Sequence, residues 1–374
     1  MIPYGRQFID EDDISAVIEV LRSDWLTTGP KVAKFEEAFA KHVGARYAVA
    51  VNSGTAALHA SIFAVGIKPG DEVIVPTITF AATANSVVYQ GGTPVFADVM
   101  PSNLLIDPSR VEALITDRTR AIISVDYAGH PCDYDALNDI AARRGLFLID
   151  DACHALGGSF HGRPVGSLAG LNTFSFHPVK HITTGEGGLV TTDDPSLASR
   201  MRLFRNHGID SDHYQRELEG SWEYNMTDLG YNYRLTDLQC ALGLSQLKKL
   251  NKWVMRRRAI ASRYDAAFQN TDLVRPLAVG EGVDHAYHLY IVRVPGDARG
   301  KIFRGLRAEG IGVNVHYRPV HLHPFYRQRF GTGPGLCPNA EHAYEEIITL
   351  PVFPAMTDDM VDEVIEAVKR IVRE

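Results

Sequence analysis

Two residue types, in a fixed order and spacing, point to the chemistry of this chain. Lys180 lies in the run Phe174-Ser-Phe-His-Pro-Val-Lys-His-Ile-Thr-Thr-Gly-Glu-Gly-Gly188, 29 positions after Asp151, which closes the apolar stretch Leu146-Phe-Leu-Ile-Asp-Asp151. A lysine amine can hold an aldehyde as a Schiff base, and a carboxylate can keep a pyridine nitrogen protonated so that the ring accepts electrons. Pyridoxal phosphate chemistry needs both groups. Most lysines are solvated, but one buried beside a cofactor gives up its proton more easily, as Schiff-base formation requires. A carboxylate at the end of a buried strand calls for a partner, and a cationic pyridinium is a suitable one. His154, about one helical turn further on, is placed to hydrogen-bond a ring hydroxyl.

Other residues fit the same frame less specifically. The turn Asn52-Ser-Gly-Thr55 joins an apolar strand to a helix, and a helix N-terminus offers free amides to a phosphate, with hydroxyls from Ser53 and Thr55. Phe80, at the start of a later helix, can stack on a flat ring. Ser175, rather than His177, is expected to face the phosphate. Cys153 reads as a small packed residue and not as a nucleophile. His316, Tyr317, His321 and His323 raise a metal alternative, but Pro319 and Pro324 interrupt the patch and no nearby carboxylate completes a ligand set. We expect a substrate-facing loop there and no metal.

The elements that must position these groups follow from the apolar pattern. Short apolar strands at Tyr47–Val51, Glu72–Pro76, Pro94–Ala97, Ala121–Val125 and Leu146–Ile149 alternate with helical stretches, which indicates a mostly parallel sheet covered on both faces. Ligands in such sheets gather at the carboxyl ends of the strands, where the Asn52 turn, the Tyr127-Ala-Gly-His130 turn and Asp151 all fall. Ile14, Val17, Ile18 and Leu21 predict an opening amphipathic helix. A single helical pattern runs from about Thr236 to Phe268. Strands at His288–Val294 and Gly312–Tyr317, with a last helix over about 358–372, complete a smaller α+β domain. The expected division is residues 1–240 and 241–374.

Bulk properties narrow the class. The 374 residues suit one large domain and one smaller one, and the net charge of −7 argues against general nucleic-acid or membrane binding. The basic run Lys248-Lys-Leu-Asn-Lys-Trp-Val-Met-Arg-Arg-Arg258 reads as a solvated helix face. Cys132, Cys153, Cys240 and Cys337 are dispersed without metal spacing, which suits free thiols in the cytoplasm. There is no apolar segment of signal-peptide or membrane-spanning length.

Taken together, Trp25-Leu-Thr-Thr-Gly29, Asp151-Ala-Cys-His154, Phe174-Ser-Phe-His177 with Lys180, Gly185-Glu-Gly-Gly188, Gly230-Tyr-Asn-Tyr-Arg234 and His316-Tyr-Arg-Pro319 resemble the DegT/DnrJ/EryC1/StrS sugar aminotransferases, end to end. The resemblance implies a fold-type I, aspartate aminotransferase-like architecture with a mostly parallel seven-stranded sheet, and pyridoxal 5'-phosphate as cofactor. It also implies roles. Lys180 holds the cofactor and shuttles the proton, Asp151 pairs with the pyridine nitrogen, Phe80 stacks on the ring, and His154 lies near the ring hydroxyl. Gly54, Thr55 and Ser175 hold the phosphate, while Asn232 reaches the partner's cofactor in a homodimer with shared sites. L-glutamate would donate the amino group to a nucleotide-linked keto sugar, met by His316, Tyr317, Arg234 and Arg318. The turn Ser124–Gly129 and the segment Val315–Val320 look most like the pseudaminic-acid branch, which aminates C4 of a UDP-linked 4-keto-6-deoxy amino sugar to form UDP-4-amino-4,6-dideoxy-N-acetyl-β-L-altrosamine. Relatives acting on a UDP-linked D-xylo 4-keto sugar, GDP-4-keto-6-deoxymannose, a UDP-4-keto-pentose or a 3-keto sugar share this core. Dehydratases of the family carry histidine in place of the lysine, a non-catalytic regulator would lack Lys180 or Asp151, and a dehydrogenase would need a Gly-x-Gly-x-x-Gly turn after its first strand. None of these three patterns is present.

Overall fold

The computed structural model describes residues 1–211, 216–217 and 220–373. Its centre is a seven-stranded sheet built from β1 (Tyr47–Val51), β2 (Glu72–Pro76), β3 (Thr93–Ala97), β4 (Thr119–Val125), β5 (Phe147–Asp151), β8 (Leu171–Ser175) and β9 (Gly188–Thr192); between β5 and β8 come the two-residue strands β6 (Ser159–Phe160) and β7 (Arg163–Pro164). The order is β1-β9-β8-β5-β4-β2-β3. Every neighbouring pair is parallel except those made by β9, which runs against both β1 and β8. The carboxyl ends of β1, β4, β5 and β8 therefore lie along one edge, with the start of β9 among them.

The strands are continuous runs of buried Val, Ile and Ala because helices cover both faces. α1 (Glu11–Leu21) and α2 (Pro30–Val43) precede β1, and α3 (Gly54–Ala64) follows it. α4 (Ala81–Tyr89), α5 (Pro108–Leu114), α6 (Tyr134–Arg144) and α7 (Pro195–Arg205) connect later strands. Nine of the eleven residues of α3 are buried, on all sides of the helix, so it is a core element and not an amphipathic one.

Three sequence expectations change in the structure. The long helical pattern is two helices, α8 (Asp237–Leu247) and α9 (Leu250–Phe268), broken at Lys248-Lys249. Lys249 turns there to pair with Asp13, at 2.9 Å, and with Asp10. The Gly312–Tyr317 segment makes a single bridge, Asn314 to Thr349, with Ile311 just before it bridging to Ile2, instead of a strand. Finally, the apolar stripe of α1 faces outward: Ile14, Ile18 and Leu21 are exposed, and the buried residues of the helix are Asp13 and Val20. Asp13 tolerates burial because Lys249 and the Gln246 amide, 2.6 Å away, both reach it.

A second hydrophobic cluster lies beyond the first. It joins Ile2 to residues of α9, α10 (Gly296–Ala308) and α13 (Asp358–Arg373), and to a small antiparallel sheet. That sheet is β10 (Arg275–Pro276), β12 (Tyr290–Arg293) and β13 (Ile347–Leu350), while β11 (Val283–Asp284) leaves it to pair with β6. The segment between α10 and β13, which carries α11 (Pro324–Phe330) and α12 (Pro338–Glu346), returns to the first core through Val320, Tyr326 and Ala340.

Candidate active site

Asp151 ends β5, one of the central strands, and is 6% exposed. One carboxylate oxygen accepts from Thr83 Oγ1 at 2.7 Å, and Thr83 Oγ1 is itself 2.7 Å from Thr79 Oγ1. The backbone N–H of Cys153 approaches the other oxygen at 3.4 Å. Asp150, one residue earlier, points to the opposite face of the sheet. Both its oxygens are buried without a partner among the described residues. Its neighbour Asp126 accepts from the Cys132 N–H and the Tyr134 hydroxyl, each at 2.8 Å. Burial pushes Asp126 up to about 7 and Asp150 well above the carboxylate range, with a smaller push from Asp151 on Asp126 and from Asp126 and Asp151 on Asp150. The two adjacent aspartates thus divide: Asp151 sits at the carboxyl edge of the sheet beside Lys180, and Asp150 lies on the opposite face beside Asp126.

Lys180 follows β8 in a loop fixed by its own N–H donating to the His177 carbonyl at 2.9 Å. The side chain is half-buried, and its Nζ lies 3.5 Å from His288 Nε2. Burial is the main cause that lowers the pKa of its amine; Cys153 and Asp151 act in the opposite direction, and the Arg257 charge lowers it further. His154 is buried, with Nε2 3.2 Å from the Tyr317 hydroxyl and its ring centre 4.4 Å from that of His288. The Nδ1 atoms of His154, His181 and His288 are buried without partners among the described residues. Burial, with nearby positive charge, holds all three imidazoles well below their usual pKa, hence neutral.

The N-terminus of α3 meets the ends of β8 and β9. Ser53 caps the helix, its Oγ accepting from the Ala56 N–H at 3.1 Å, which leaves its O–H free to donate. A Cβ on Gly54 would stand 2.8 Å from Ser175 Cβ, and one on Gly188 would overlap the Ser53 carbonyl. Glycine at both positions lets the strand ends close onto the first helical turn, whose amides have no acceptors within the helix. Ser175 therefore borders these amides, while His177 is exposed and donates its N–H to Ser175 Oγ at 3.4 Å. Phe80, at the N-cap of α4, is 61% exposed, with its ring 6.1 Å from Tyr317. An anion cradle, a strand-end carboxylate, an exposed aromatic face and a lysine of lowered basicity suit pyridoxal phosphate in charge and in shape. Burial pushes the Cys153 thiol well up, which suits a packed residue more than a thiolate.

The remaining candidates disperse. His316 is a bracing residue: its Nδ1 lies 2.8 Å from Thr349 Oγ1, and its carbonyl accepts from the Tyr127 hydroxyl. His321 is locked between Thr77 and Glu341. Among the described residues no group of three or more side chains could hold a metal ion. Arg318 is exposed and donates to the Leu322 carbonyl. Arg234 donates to Asn206 Oδ1 at 2.9 Å and lines a different cavity, of about 460 Å³, with Thr28, Arg202, Arg205 and Ser211. Asn232 is exposed, with its carbonyl accepting from Asn52 Nδ2 at 3.3 Å beside the α3 N-terminus. Sequence reasoning missed Thr83, although it lies one helical turn after Thr79. It also missed His288, which reads as an ordinary strand residue, and Arg257. The basic run was expected to be a solvated face, yet Arg257 is completely buried, because it falls on the same helical stripe as Leu250, Trp253, Val254, Ile260, Ala261 and Tyr264.

The model for the DegT/DnrJ/EryC1/StrS aminotransferase family matches residues 7–369. The chain is 44% identical to the spore coat polysaccharide biosynthesis protein SpsC of Bacillus subtilis, over all of this chain and 97% of that protein. The structure of the sugar aminotransferase Spr1654 from Streptococcus pneumoniae in its PMP form superposes with a TM-score of 0.95 at 35% identity, covering 100% of this chain and 99% of that one; the PLP form gives 0.94. Helicobacter pylori PseC, described as an aminotransferase of pseudaminic-acid biosynthesis, gives 0.93 at 34% identity, with 100% and 99% covered. Among the described residues no helix is long and apolar enough to cross a membrane.

Proposed function

Since the chain belongs to the DegT/DnrJ/EryC1/StrS aminotransferase family and is a sugar aminotransferase with pyridoxal 5'-phosphate as its cofactor, we propose that it moves the amino group of L-glutamate to C4 of a UDP-linked 4-keto-6-deoxy amino sugar. The observation that carries this reading is the meeting of Lys180, Asp151 and the α3 N-terminus at one sheet edge. The cofactor supplies an aldehyde that takes up amines and a ring that accepts the electron pair left when a carbon loses its proton.

The protein's own residues do the rest. Lys180 Nζ takes the proton from the donor's α-carbon and, in the second half-reaction, delivers one to the sugar carbon that becomes an amine. Asp151, fixed by Thr83, holds the proton on the pyridine nitrogen. Gly54, Thr55 and Ser175 hold the phosphate, Phe80 covers one ring face, and His154 with Tyr317 orients the ring hydroxyl. Arg234 and Arg318 remain candidates for the nucleotide's charges and His316 for the sugar. The likeness to PseC supports the pseudaminic branch, and the likeness to SpsC supports a role in polysaccharide biosynthesis.

A second copy completes the reading. Trp222, Tyr224, Met226 and Leu229 are exposed by 83, 56, 66 and 68%, and they directly precede Asn232. Such a run of bare apolar side chains suits a surface covered by a partner, and in a homodimer Asn232 would reach the partner's phosphate cradle.

The visible absorption spectrum tests this directly. The purified protein loaded with cofactor should lose its visible band on addition of glutamate and regain it when a UDP-4-keto sugar is added. A band that glutamate leaves unchanged would remove the donor assignment. Recovery with a GDP-linked sugar or a UDP-4-keto-pentose alone would reassign the acceptor.

A further inference from the structure

The buried wall behind Lys180 contains groups that the reading above does not use. Arg257 of α9 is wholly buried and has no carboxylate partner among the described residues. One nitrogen, Nη1, donates to three carbonyls, those of Tyr287 at 3.2 Å, His288 at 3.3 Å and Val352 at 2.8 Å. Its Nε and Nη2 find no acceptor among the described residues. Arg258, the next residue, donates to the carbonyls of His285 at 2.9 Å and Gly157 at 3.3 Å. Together they clamp the segment 285–288. The same segment is tied to the sheet edge by Ala286 N–H to Gly129 O and by Leu289 N–H to Ala128 O.

Tyr287, in the middle, has φ +49°, a left-handed conformation that a bulky side chain adopts only when its surroundings impose it. An unpaired buried cation is costly, and an over-determined strained loop is costly as well. The two costs share one result, which is the placement of His288. Its Nε2 lies 3.5 Å from Lys180 Nζ, and its ring lies against His154.

We propose that His288 is a positioning residue for Lys180, set in place by the Arg257–Arg258 clamp, which holds its Nε2 within reach of the lysine Nζ. The proposal rests on the aminotransferase reading of the site. The titratable groups that face the pair are Asp151, Cys153 and His154 after β5, His181 on the lysine's own loop, Arg257 on α9, and His316 and Tyr317 from the later segment. Burial brings Arg257 down to about 10, so it remains a cation at neutral pH, and its charge is among the causes that lower Lys180 and His288.

The test uses the cofactor-loaded protein and its variants His288→Gln, Arg257→Met and Arg257→Lys. The first readout is the pH midpoint of the visible band without substrate; the second is kcat and KM for glutamate. His288→Gln should shift the midpoint and lower kcat by about ten- to a hundredfold, as misplacement of a reacting group does, with KM changed less than threefold. Arg257→Met should raise the midpoint, and Arg257→Lys should restore it. If the arginine variants do not fold, His288→Gln decides alone: a moved midpoint supports the proposal, and an unmoved midpoint with wild-type kcat overturns it. Arg257→Met with a wild-type midpoint and wild-type kcat overturns the role of the clamp. A wild-type protein whose band ignores glutamate would instead sink the underlying reading, a separate result.

Discussion

The placement of Asp151 and His154 at the carboxyl end of a central strand, with Lys180 in a loop near them, was legible in the sequence from the apolar runs that precede them. Thr83 and His288 were not, because a threonine inside a helix and a histidine at the head of a strand look ordinary until the fold brings them to a carboxylate and an amine. Thr83 gives a sharp test. Thr83→Val keeps the shape but removes the 2.7 Å hydrogen bond to Asp151. Hydrogen bonds to charged groups contribute about 1.5–3 kcal/mol, so cofactor affinity, followed by absorbance titration, should fall about tenfold or more while the fold persists. Lys180→Ala should still bind cofactor but show no turnover and no band that borohydride can fix to the protein. Retained turnover would remove Lys180 from its assigned role.

At the scale of elements, the strand pattern gave the parallel sheet and the edge where the site lies. It could not give the break between α8 and α9, since Lys248-Lys249 continues the helical periodicity and only the distant Asp10 and Asp13 explain why the chain turns there. That junction bears weight. Lys249→Met leaves Asp13, which is wholly buried, without its cation, and such losses cost about 3–5 kcal/mol. Urea denaturation should register it, with a partial rescue by Asp13→Asn. Gly54→Val acts on a different element pair. The added side chain meets Ser175, so the variant should weaken cofactor binding more strongly than it lowers the melting temperature. Equal effects would mean that the contact is merely structural.

For the whole molecule, stability should depend on pH through two groups of buried residues that oppose each other. His59, enclosed by Tyr233, Gln90 and Phe204, is held near 4 by burial. The unfolded chain takes up a proton below about 6.5 that the fold refuses, so this contribution of roughly 2–3 kcal/mol is lost as pH falls from 6.5 to 4. Asp126, held up at about 7, and Asp150 work the other way: the fold keeps protons that the unfolded chain releases, and stability declines as pH rises from about 4 to 7. Asp150→Asn should therefore raise the melting temperature more at pH 8 than at pH 5; the reverse order would show that Asp150 is ionised. None of this long-range pairing is readable from spacing, and neither is the outward turn of the α1 stripe, whose Ile14, Ile18 and Leu21 stay exposed among the described residues. The first residues show how far such pairing reaches. Ile2 exchanges backbone hydrogen bonds with Gly310 and Gly312 and packs in the second hydrophobic cluster. During synthesis Ile2 must wait for a partner roughly 300 residues later, about 15–60 s at ribosomal speed. Through that interval the second cluster, whose other members run from Ile260 to Ile371, is still being made, and the first also waits for Val320 and Ala340. A nascent chain halted before residue 310 should therefore remain open to proteases around Ile2, and Ile2→Asp should reduce yield more than it reduces the activity of the molecules that mature.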